Sequence, residues 1–502
     1  MATFNDARVR PANDHKIRPG QSYVLYWMQA YRRFNRNHAL DYALHWARHL
    51  KKPLIVFEGL RMDYPWASAR HHQFMIDGII ANTAHATQAG IQYWPYVETP
   101  EQPARGLLTK LAHDACLVVT DDYPAFIVPG QIAALASKCE CAVHAIDGNS
   151  LVPLKLLGPA VSACAHLRPR IHKLVAEAWQ HRAVKEPTFP TGPKIDPPFQ
   201  LAIGKHLPKV ADLPIDQKVK PIDGIVGGVV AGHAALKNFV RHKLPRYSEG
   251  RNQPDDPAVT AASGLSAWLR YGHLSIQEVA EKVLGDGWSP EKLNAGARGK
   301  REGYYHDDPN VNSFLDEAIT WRDVGYHWHM MRNAERGVRN AEWTTVDGVK
   351  VPLFHDLAST LPAWAKASLD AHAADKRAFQ YTLAQWEGAD THDPLWNAAQ
   401  VELMATGRIH NYLRMLWGKK VLEWSATPQA AYVVLEHLNN KYAIDGRDPN
   451  SYTGILWCFG LFDRPWPPER KVFGNVRYMS SDNTAKKYKL AGYYEYVRKL
   501  KY

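Results

Sequence analysis

The chain contains few cysteines: only five among 502 residues, and no two of them form a C-x-x-C pair. Cys139 and Cys141 are separated by a single residue, which is too close for the paired ligands of a metal site. Disulfide frameworks and zinc sites both require other spacings. We therefore expect reduced, buried cysteines, no metal site and a cytoplasmic protein.

Long apolar segments are also missing. No run approaches the ~18 apolar residues that a membrane-spanning helix needs. The first residues, MATFNDARVRPANDHKIRPG, are polar and lack the apolar centre of a signal peptide. These observations argue against membrane insertion and export. We expect a cytoplasmic location with access to the nucleoid or nucleus.

Positive charge is in excess. Lys and Arg number 61 against 50 Asp and Glu, which gives a formal net charge of +11. Basic side chains gain affinity for phosphates by releasing counterions, so a polyanionic partner is favoured. Net charge alone is weak evidence for such a partner, and it gains weight only where the basic residues are clustered.

The first third of the chain alternates short apolar runs with helical spacing, a pattern typical of a parallel α/β sheet. No GxGxxG motif follows the first strand, so a dinucleotide site of that type is not indicated. We assign residues 20–165 to this domain. The predicted strands are 22–28, 53–60, 91–97, 115–122 and 141–148.

The amino-acid composition changes after this domain. Residues 166–225 are rich in proline, which removes backbone donors and disfavours long regular elements, so we predict a linker. Residues 226–502 show repeated helical spacing and predict an all-α domain. Its expected helices lie near 232–244, 275–284, 312–331, 362–375, 395–406, 409–424 and 428–442.

Tryptophans cluster between residues 391 and 479. Trp417 and Trp424 are 7 residues apart, so on an α-helix they lie on one face. Trp396 precedes Trp417 by 21 residues, on the other side of a predicted break at Thr406–Gly407. Burying an apolar helix face does not require three tryptophans, and the cluster therefore raises a second possible use, an electron-hopping path.

At these residues the chain resembles the class II cyclobutane pyrimidine dimer photolyases. That family carries DPLWN, then W-x-K-K-x-L-E-W, then L-N-x-x-Y-x-x-D-G-R-D-P-N-x-Y-x-G-I-x-W, and all three stand here with the same internal spacing. The resemblance covers most of the chain. It implies the photolyase/cryptochrome fold, in which a parallel five-stranded, Rossmann-like sheet is joined by a long linker to an all-α FAD-binding domain. It also implies a deoxyribodipyrimidine photo-lyase that repairs UV-damaged DNA under blue light, and we expect a monomer.

The resemblance implies FAD, active as its reduced anion. Trp417 would lie nearest the flavin, followed in the hopping path by Trp396 and Trp424. A helix start offers free N–H groups and a favourable dipole to the FAD phosphates. Many family members also hold an antenna chromophore in the first domain; its identity here stays open. The implied FAD-binding residues are Tyr247, Arg251, Thr260, Ser263, Gly264, Leu265, Ser266, Arg414, Asn439 and Asp445, the last three beside the flavin ring.

The resemblance also implies a lesion pocket. Two indoles flanking an apolar cleft can hold a flipped-out pyrimidine dimer, and a carboxyl group can act on the pyrimidine carbonyl as charge develops there. Glu317 would be that acid, four residues before Trp321 on a shared helix face. Trp457 and Met415 would complete the pocket. A basic loop would enter the DNA gap, with Trp466 as plug beside Arg464, Arg470, Lys471 and Arg477.

The chain departs from the family pattern in several places. Insertions are expected near 285–308 and 333–359, and the family's HFG is replaced by Arg270-Tyr271-Gly272. These changes concern the surroundings of the lesion pocket more than the FAD-binding site. They therefore leave the lesion preference open.

Two other functions are compatible with the residues. A cryptochrome-like photoreceptor would use the same FAD and tryptophans for signalling, although Glu317, Trp321 and Trp457 argue for repair. In a basic DNA-binding helical domain without flavin, the tryptophans would be core residues only.

Overall fold

A six-stranded sheet forms the centre of the first part of the chain in the computed structural model, which describes residues 4–337 and 341–501. The strands are β1 Val9–Pro11, β2 Tyr23–Met28, β3 Leu54–Leu60, β4 Tyr93–Val97, β5 Ala115–Asp121 and β6 Ala142–Ile146. Their order is β1-β6-β5-β2-β3-β4, with β2 to β6 parallel and β1 antiparallel to β6. The five predicted strands are confirmed. The short β1 was not predicted, because three residues that include a proline carry no alternating pattern.

The sheet is covered on both faces, as parallel sheets require. Every residue of β2 and β5 is buried, which explains why these strands read as continuous apolar runs. The covering helices are α1 His38–Leu50, α2 Ala69–Ala89, α3 Leu107–His113 and α4 Val128–Ala136, and α5 Cys164–Gln180 follows the sheet in the chain.

Helix α5 corrects the prediction that 166–225 lacks long regular elements. Leu167, Ile171 and Val175 are buried at helical spacing, and this stripe outweighs the cost of Pro169 inside the helix. Beyond residue 181 the chain contains only short 3₁₀ turns until residue 229, as the proline content predicted.

The second part of the chain is helical. Its helices are α6 Val229–His242, α7 Tyr247–Gly250, α8 Ser266–Arg270, α9 Ile276–Leu284, α10 Pro309–Leu315, α11 Arg322–Arg336, α12 Ala363–Ala371, α13 Leu383–Glu387, α14 Pro394–Thr406, α15 Asn411–Trp424, α16 Pro428–Tyr442, α17 Pro449–Trp457, α18 Ser481–Lys487 and α19 Ala491–Arg498. The break at Gly407 is confirmed, since this glycine caps α14 with φ of +68°.

The prediction of a purely helical second part is wrong in one place. A two-stranded antiparallel hairpin, β7 Glu342–Val346 and β8 Val349–Leu353, interrupts the helices. It belongs to the insertion expected near 333–359, of which residues 338–340 lie outside the described residues. The turn residues Asp347 and Gly348 both have positive φ, as a tight hairpin turn demands.

A buried carboxylate joins the sheet to the helices. Asp448 Oδ2 accepts the hydroxyl of Tyr123, which follows β5, at 2.9 Å and that of Tyr326 on α11 at 2.6 Å. Its other oxygen caps α17 by accepting from Asn450 N at 2.8 Å. This contact fixes α11 and α17 relative to the sheet, and both helices border the cavity described next.

Candidate active site

A cavity of about 400 Å³ lies within the helical part. Its walls come from α7, α8, α10, α11, α15, α16 and α17, so residues more than 200 positions apart meet in it. Its lining combines apolar side chains, among them Leu269, Phe314 and Ile455, with hydroxyl, amide and charged groups. A cavity of this mixed character suits a large planar ligand with a polar tail.

Ten of the residues assigned from the sequence to the flavin, the electron path and the lesion pocket line this cavity. The lining includes Tyr247, Ser263, Ser266, Glu317, Trp321, Arg414, Met415, Trp417, Asn439 and Asp445. Other residues assigned to these roles do not line it: Arg251, Thr260, Gly264, Leu265, Trp396, Trp424 and Trp457.

The helix whose start was predicted to bind the FAD phosphates is short. Helix α8 has five residues, and neither Ser263 nor Ser266 caps it through its side chain. Gly264 precedes it with φ of +68°, a conformation that disfavours any side chain. Since a one-turn helix has a small dipole, the serine hydroxyls contribute more of the polarity here than the helix end does.

Glu317 and Trp321 lie on a π-helical turn, Asp316–Trp321, and not on the continuous α-helix predicted for 312–331. The buried Asp316 pairs with Arg168 of α5 at 2.8 Å, and the indole N–H of Trp321 donates to Asp316 Oδ2 at 3.0 Å. The wider turn lets Asp316 face α5 while Glu317 and Trp321 line the cavity. Such turns are frequent at functional sites.

The two pocket indoles do not form opposite sides of a slot. Trp321 and Trp457 stack on each other with ring centroids 5.4 Å apart and planes at 28°. A flat ring inserted between them would need about 7 Å, twice the usual contact distance. The expectation of a cleft between two indoles is therefore corrected: the two rings pack on each other, and of the two only Trp321 lines the cavity.

Several charged groups lie in or next to the cavity. Arg414 and Asp445 form an ion pair at 3.4 Å, as the resemblance implied, and the amide of the buried Asn439 donates to Asn440 Oδ1 at 3.3 Å. Glu317 is held by Arg251 at 2.7 Å. Although burial lowers the pKa of Arg251, the neighbouring Glu317 and Tyr247 more than offset this and raise it.

Four indoles form a continuous row leading away from the cavity. Trp417 lines the cavity and stacks on Trp396 at 6.4 Å, Trp396 meets Trp386 at 4.8 Å, and Trp386 stacks on Trp424 at 6.1 Å. All four are buried. Sequence reasoning missed Trp386, whose one available signal was its position ten residues before Trp396 in a tryptophan-rich segment.

The predicted basic loop is accessible. Arg464, Trp466, Arg470, Lys471 and Arg477 are all exposed. The guanidinium groups of Arg464 and Arg477 lie 4.8 Å and 5.0 Å from the ring centroid of Trp466, which is 38% exposed. An indole flanked by two arginines can stack on a base while the cations meet phosphates.

A second cavity, of about 510 Å³, was not found from the sequence. It lies at the carboxyl ends of β2 to β5, where the strand order reverses, the usual ligand position in open α/β sheets. Gln29, Glu98 and Gln131 line it from the sheet side, and Arg270 and Arg447 from the helical side. Arg270 also lines the first cavity, so the two cavities are neighbours.

All five cysteines are buried and unpaired. Within residues 4–337 and 341–501, no group of three His, Cys, Asp or Glu side chains could hold a metal ion. In the same part of the chain, none of the helices has the length and apolarity needed to cross a membrane.

Comparison with known proteins gives the family. No family model matches the chain. The deoxyribodipyrimidine photo-lyase of Methanothermobacter thermautotrophicus is 32% identical over 497 residues, which cover 98% of each chain. The chain belongs to the photolyase/cryptochrome family. Three further relatives of that name match 95–99% of the chain at 28–30% identity, which confirms the prediction of an enzyme of the deoxyribodipyrimidine photo-lyase kind.

Solved structures of the family share the fold. A class III photolyase from Agrobacterium tumefaciens aligns with a TM-score of 0.62 at 19% identity, over 95% of this chain and 86% of its own. A Synechocystis cryptochrome aligns with a TM-score of 0.59 at 16% identity, over 95% of this chain and 88% of its own. The predicted photolyase/cryptochrome fold is thereby confirmed.

Proposed function

We propose that the chain is a light-driven DNA-repair enzyme that splits cyclobutane pyrimidine dimers, and that it is of the class II kind. One observation carries the proposal: Glu317, Trp321 and Met415 share a cavity with Asn439, Arg414, Asp445 and Trp417. The relatives named deoxyribodipyrimidine photo-lyase support the reaction, and the three late sequence motifs support class II.

The residues of the cavity fit FAD, which members of the family generally bind. An ideal Cβ placed on the cavity-lining Gly454 would meet nothing within 4 Å, so the backbone there can approach a ring closely. Tyr247, Ser263 and Ser266 offer hydroxyl groups for a diphosphate, and the apolar lining residues suit an isoalloxazine. When bound in reduced form, FAD would supply light absorption and the single electron needed for dimer splitting.

The residues around the ring would fix its electrostatics. The Asn439 amide is buried on α16, with Arg414 and Asp445 paired nearby, so a donor, a cation and an anion stand in fixed positions. A partly buried pair of this kind does little for stability but can hold a charged ring in place. Trp417, Trp396, Trp386 and Trp424 would carry electrons inward to the cavity.

Glu317 and Trp321 would hold the dimer. Trp321, on which Trp457 stacks, offers an aromatic surface for a flipped-out pyrimidine dimer, and Met415 can adapt to its shape. The Glu317 carboxyl would share a proton with a pyrimidine carbonyl oxygen as negative charge develops there. The exposed loop around Trp466 would fill the gap in the duplex, with its arginines and Lys471 on phosphates.

The second cavity would receive an antenna chromophore. Its position at the strand ends and its shared wall residue, Arg270, would bring a second pigment close to the first cavity. We assign 20–165 to the antenna-type domain, 166–225 to the linker and 226–502 to the catalytic domain, acting as a cytoplasmic monomer.

The test uses the purified full-length protein. A flavin absorption band, bleached by blue light with a reductant, is expected, followed by light-dependent loss of thymine dimers from an oligonucleotide. A dark reaction and an undamaged oligonucleotide serve as controls. A protein that binds flavin and bleaches but leaves every dimer intact would favour the cryptochrome-like photoreceptor. A protein that takes up no flavin would contradict both the repair function and the photoreceptor function.

A further inference from the structure

The insertion at residues 285–308 is packed against the protein. Trp288 is buried and meets Trp179 of α5 edge to face at 4.7 Å. Tyr304 is buried, stacks on His172 of α5 with ring centroids 3.6 Å apart, and donates its hydroxyl to the carbonyl of His172. The segment therefore has a defined conformation beside the cavity.

One side chain anchors the turn that carries Arg301. The buried Asn312, on α10, donates to the carbonyl of Arg301 at 3.0 Å and accepts from the backbone N–H groups of Tyr304 and Tyr305 at 3.0 Å each. Three hydrogen bonds from one buried amide hold this backbone in place. The Arg301 side chain itself is 49% exposed.

Arg301 reaches the acid of the proposed lesion pocket. Its guanidinium lies 3.3 Å from Glu317 Oε1 and 3.9 Å from Asp316 Oδ2. The same Glu317 oxygen is bound more closely, at 2.7 Å, by Arg251, whose side chain is 12% exposed.

The charges around Glu317 do not balance. Two carboxylates, Asp316 and Glu317, face three guanidinium groups, those of Arg168, Arg251 and Arg301. Arg168 binds both oxygens of Asp316, at 2.8 Å and 3.0 Å, and Arg251 holds Glu317, so Arg301 is the surplus cation. Since a half-exposed ion pair is weak, Arg301 can exchange Glu317 for a stronger anion at little cost.

We propose that Arg301 binds the DNA phosphate next to a flipped-out pyrimidine dimer and thereby favours damaged over undamaged DNA. The inference rests on the proposed repair function. Guanidinium groups bind phosphates in a bidentate manner, more strongly than they bind an exposed carboxylate. Because Arg301 contacts Glu317, which lines the cavity, a nucleotide that enters the cavity would bring its phosphate within reach of Arg301. Arg301 is thus a specificity-determining residue, and Glu317 keeps its shorter contact with Arg251 when Arg301 moves to the phosphate.

The test compares Arg301→Ala with Arg298→Ala, a change of an exposed arginine in the same turn. Binding is measured at several salt concentrations for an oligonucleotide with one thymine dimer and for the same sequence undamaged. Arg301→Ala should weaken dimer binding roughly three- to tenfold and reduce the salt slope by about one, as expected for one lost phosphate contact. Its binding to undamaged DNA should stay at the parent level. Arg298→Ala should keep the parent's preference for the dimer.

Further outcomes separate this inference from the proposed function. Arg301→Lys should keep the salt slope but lose part of the dimer affinity, because an ammonium group cannot form the bidentate contact. Flavin absorption and thermal unfolding check that each variant is folded. If the parent prefers dimers and Arg301→Ala keeps both the affinity and the slope, this inference is wrong. If the parent shows no preference for dimers, the proposed repair function itself fails.

Discussion

Trp396 and Trp417 lie parallel, with ring centroids 6.4 Å apart and planes at 7°, and the indole N–H of Trp396 donates to the backbone carbonyl of Trp417 at 3.1 Å. The indole N–H of Trp417 donates in turn to Gln400 Oε1 at 3.0 Å. Both rings are therefore held by polar contacts as well as by packing. A substitution in this row interrupts it at a known place.

Phenylalanine substitutions should identify the members of the row. Trp417→Phe and Trp386→Phe should each slow light-driven flavin reduction by about tenfold or more, equivalent to ~1.4 kcal/mol or more in an activation barrier, because a phenyl ring gives up an electron far less readily than an indole. The measurement is the rate of bleaching of the flavin band under blue light. Trp343→Phe, at an exposed tryptophan of the hairpin, is the control. If Trp386→Phe bleaches at the parent rate while Trp417→Phe does not, the electron passes from Trp424 to Trp396 without Trp386.

The carboxyl group of Glu317 should matter for repair and not for cofactor binding. Glu317→Gln keeps the shape and removes the exchangeable acid, so light-driven repair at saturating DNA should fall by roughly tenfold or more. Flavin content should remain at the parent level. Glu302→Gln, at an exposed glutamate of the insertion, provides the comparison. Equal repair rates for the two variants would remove Glu317 from the mechanism.

Trp466 should contribute to DNA binding through its exposed ring. Trp466→Ala should weaken binding of dimer-containing duplex by about 1–3 kcal/mol, the usual effect of losing one base–aromatic stack. The absorption spectrum and thermal stability should not change, since the ring lies on an exposed loop. Trp343→Ala tests whether any exposed indole has this effect. Parent-like binding by Trp466→Ala would contradict the role of this loop.

Glu402 should make stability depend on pH. Burial raises its pKa to about 7, partly opposed by the Tyr493 hydroxyl that donates to it at 2.8 Å. Because the folded-state pKa lies above the unfolded value, its contribution is complete below about pH 4 and is lost as the pH rises through about 7. The loss is on the order of 3 kcal/mol.

Glu402→Gln tests this dependence. The variant should lose less stability than the parent between about pH 5 and about pH 8 in denaturant unfolding. Glu495→Gln, at an exposed position of α19, should behave as the parent does. A variant whose stability follows the parent's at every pH would show that Glu402 does not titrate in this range.

Periodicity predicted the elements that bury a regular face. The five parallel strands and the long helices such as α15 and α16 were found because each carries its own apolar pattern. The hairpin β7–β8 was not found, since only Val351 and Pro352 of strand β8 are buried and β7 has no buried residue. A nearly exposed hairpin leaves little hydrophobic pattern in the sequence.

The positions of site residues that belong to long sequence motifs could be predicted from the sequence. Features whose geometry depends on contacts between residues far apart in the sequence were missed. Asn439 and Asp445 lie in the cavity as the motif suggested. The π-turn at Asp316–Trp321 depends on Arg168, 148 residues before Asp316, and the stacking of Trp321 on Trp457 spans 136 residues. Arg301 reaches Glu317 only because Asn312 anchors its turn. Such long-range contacts have no local signal.

Asp448 ties three parts of the molecule to one carboxyl group, and this limits how the protein can be divided. Removing the sheet would take away Tyr123 and expose the face of α11 and α17 that closes the cavity. We infer that a shortened protein made of the helices alone would be a poor starting point for engineering a smaller light-activated catalyst, and that designs should shorten surface insertions instead.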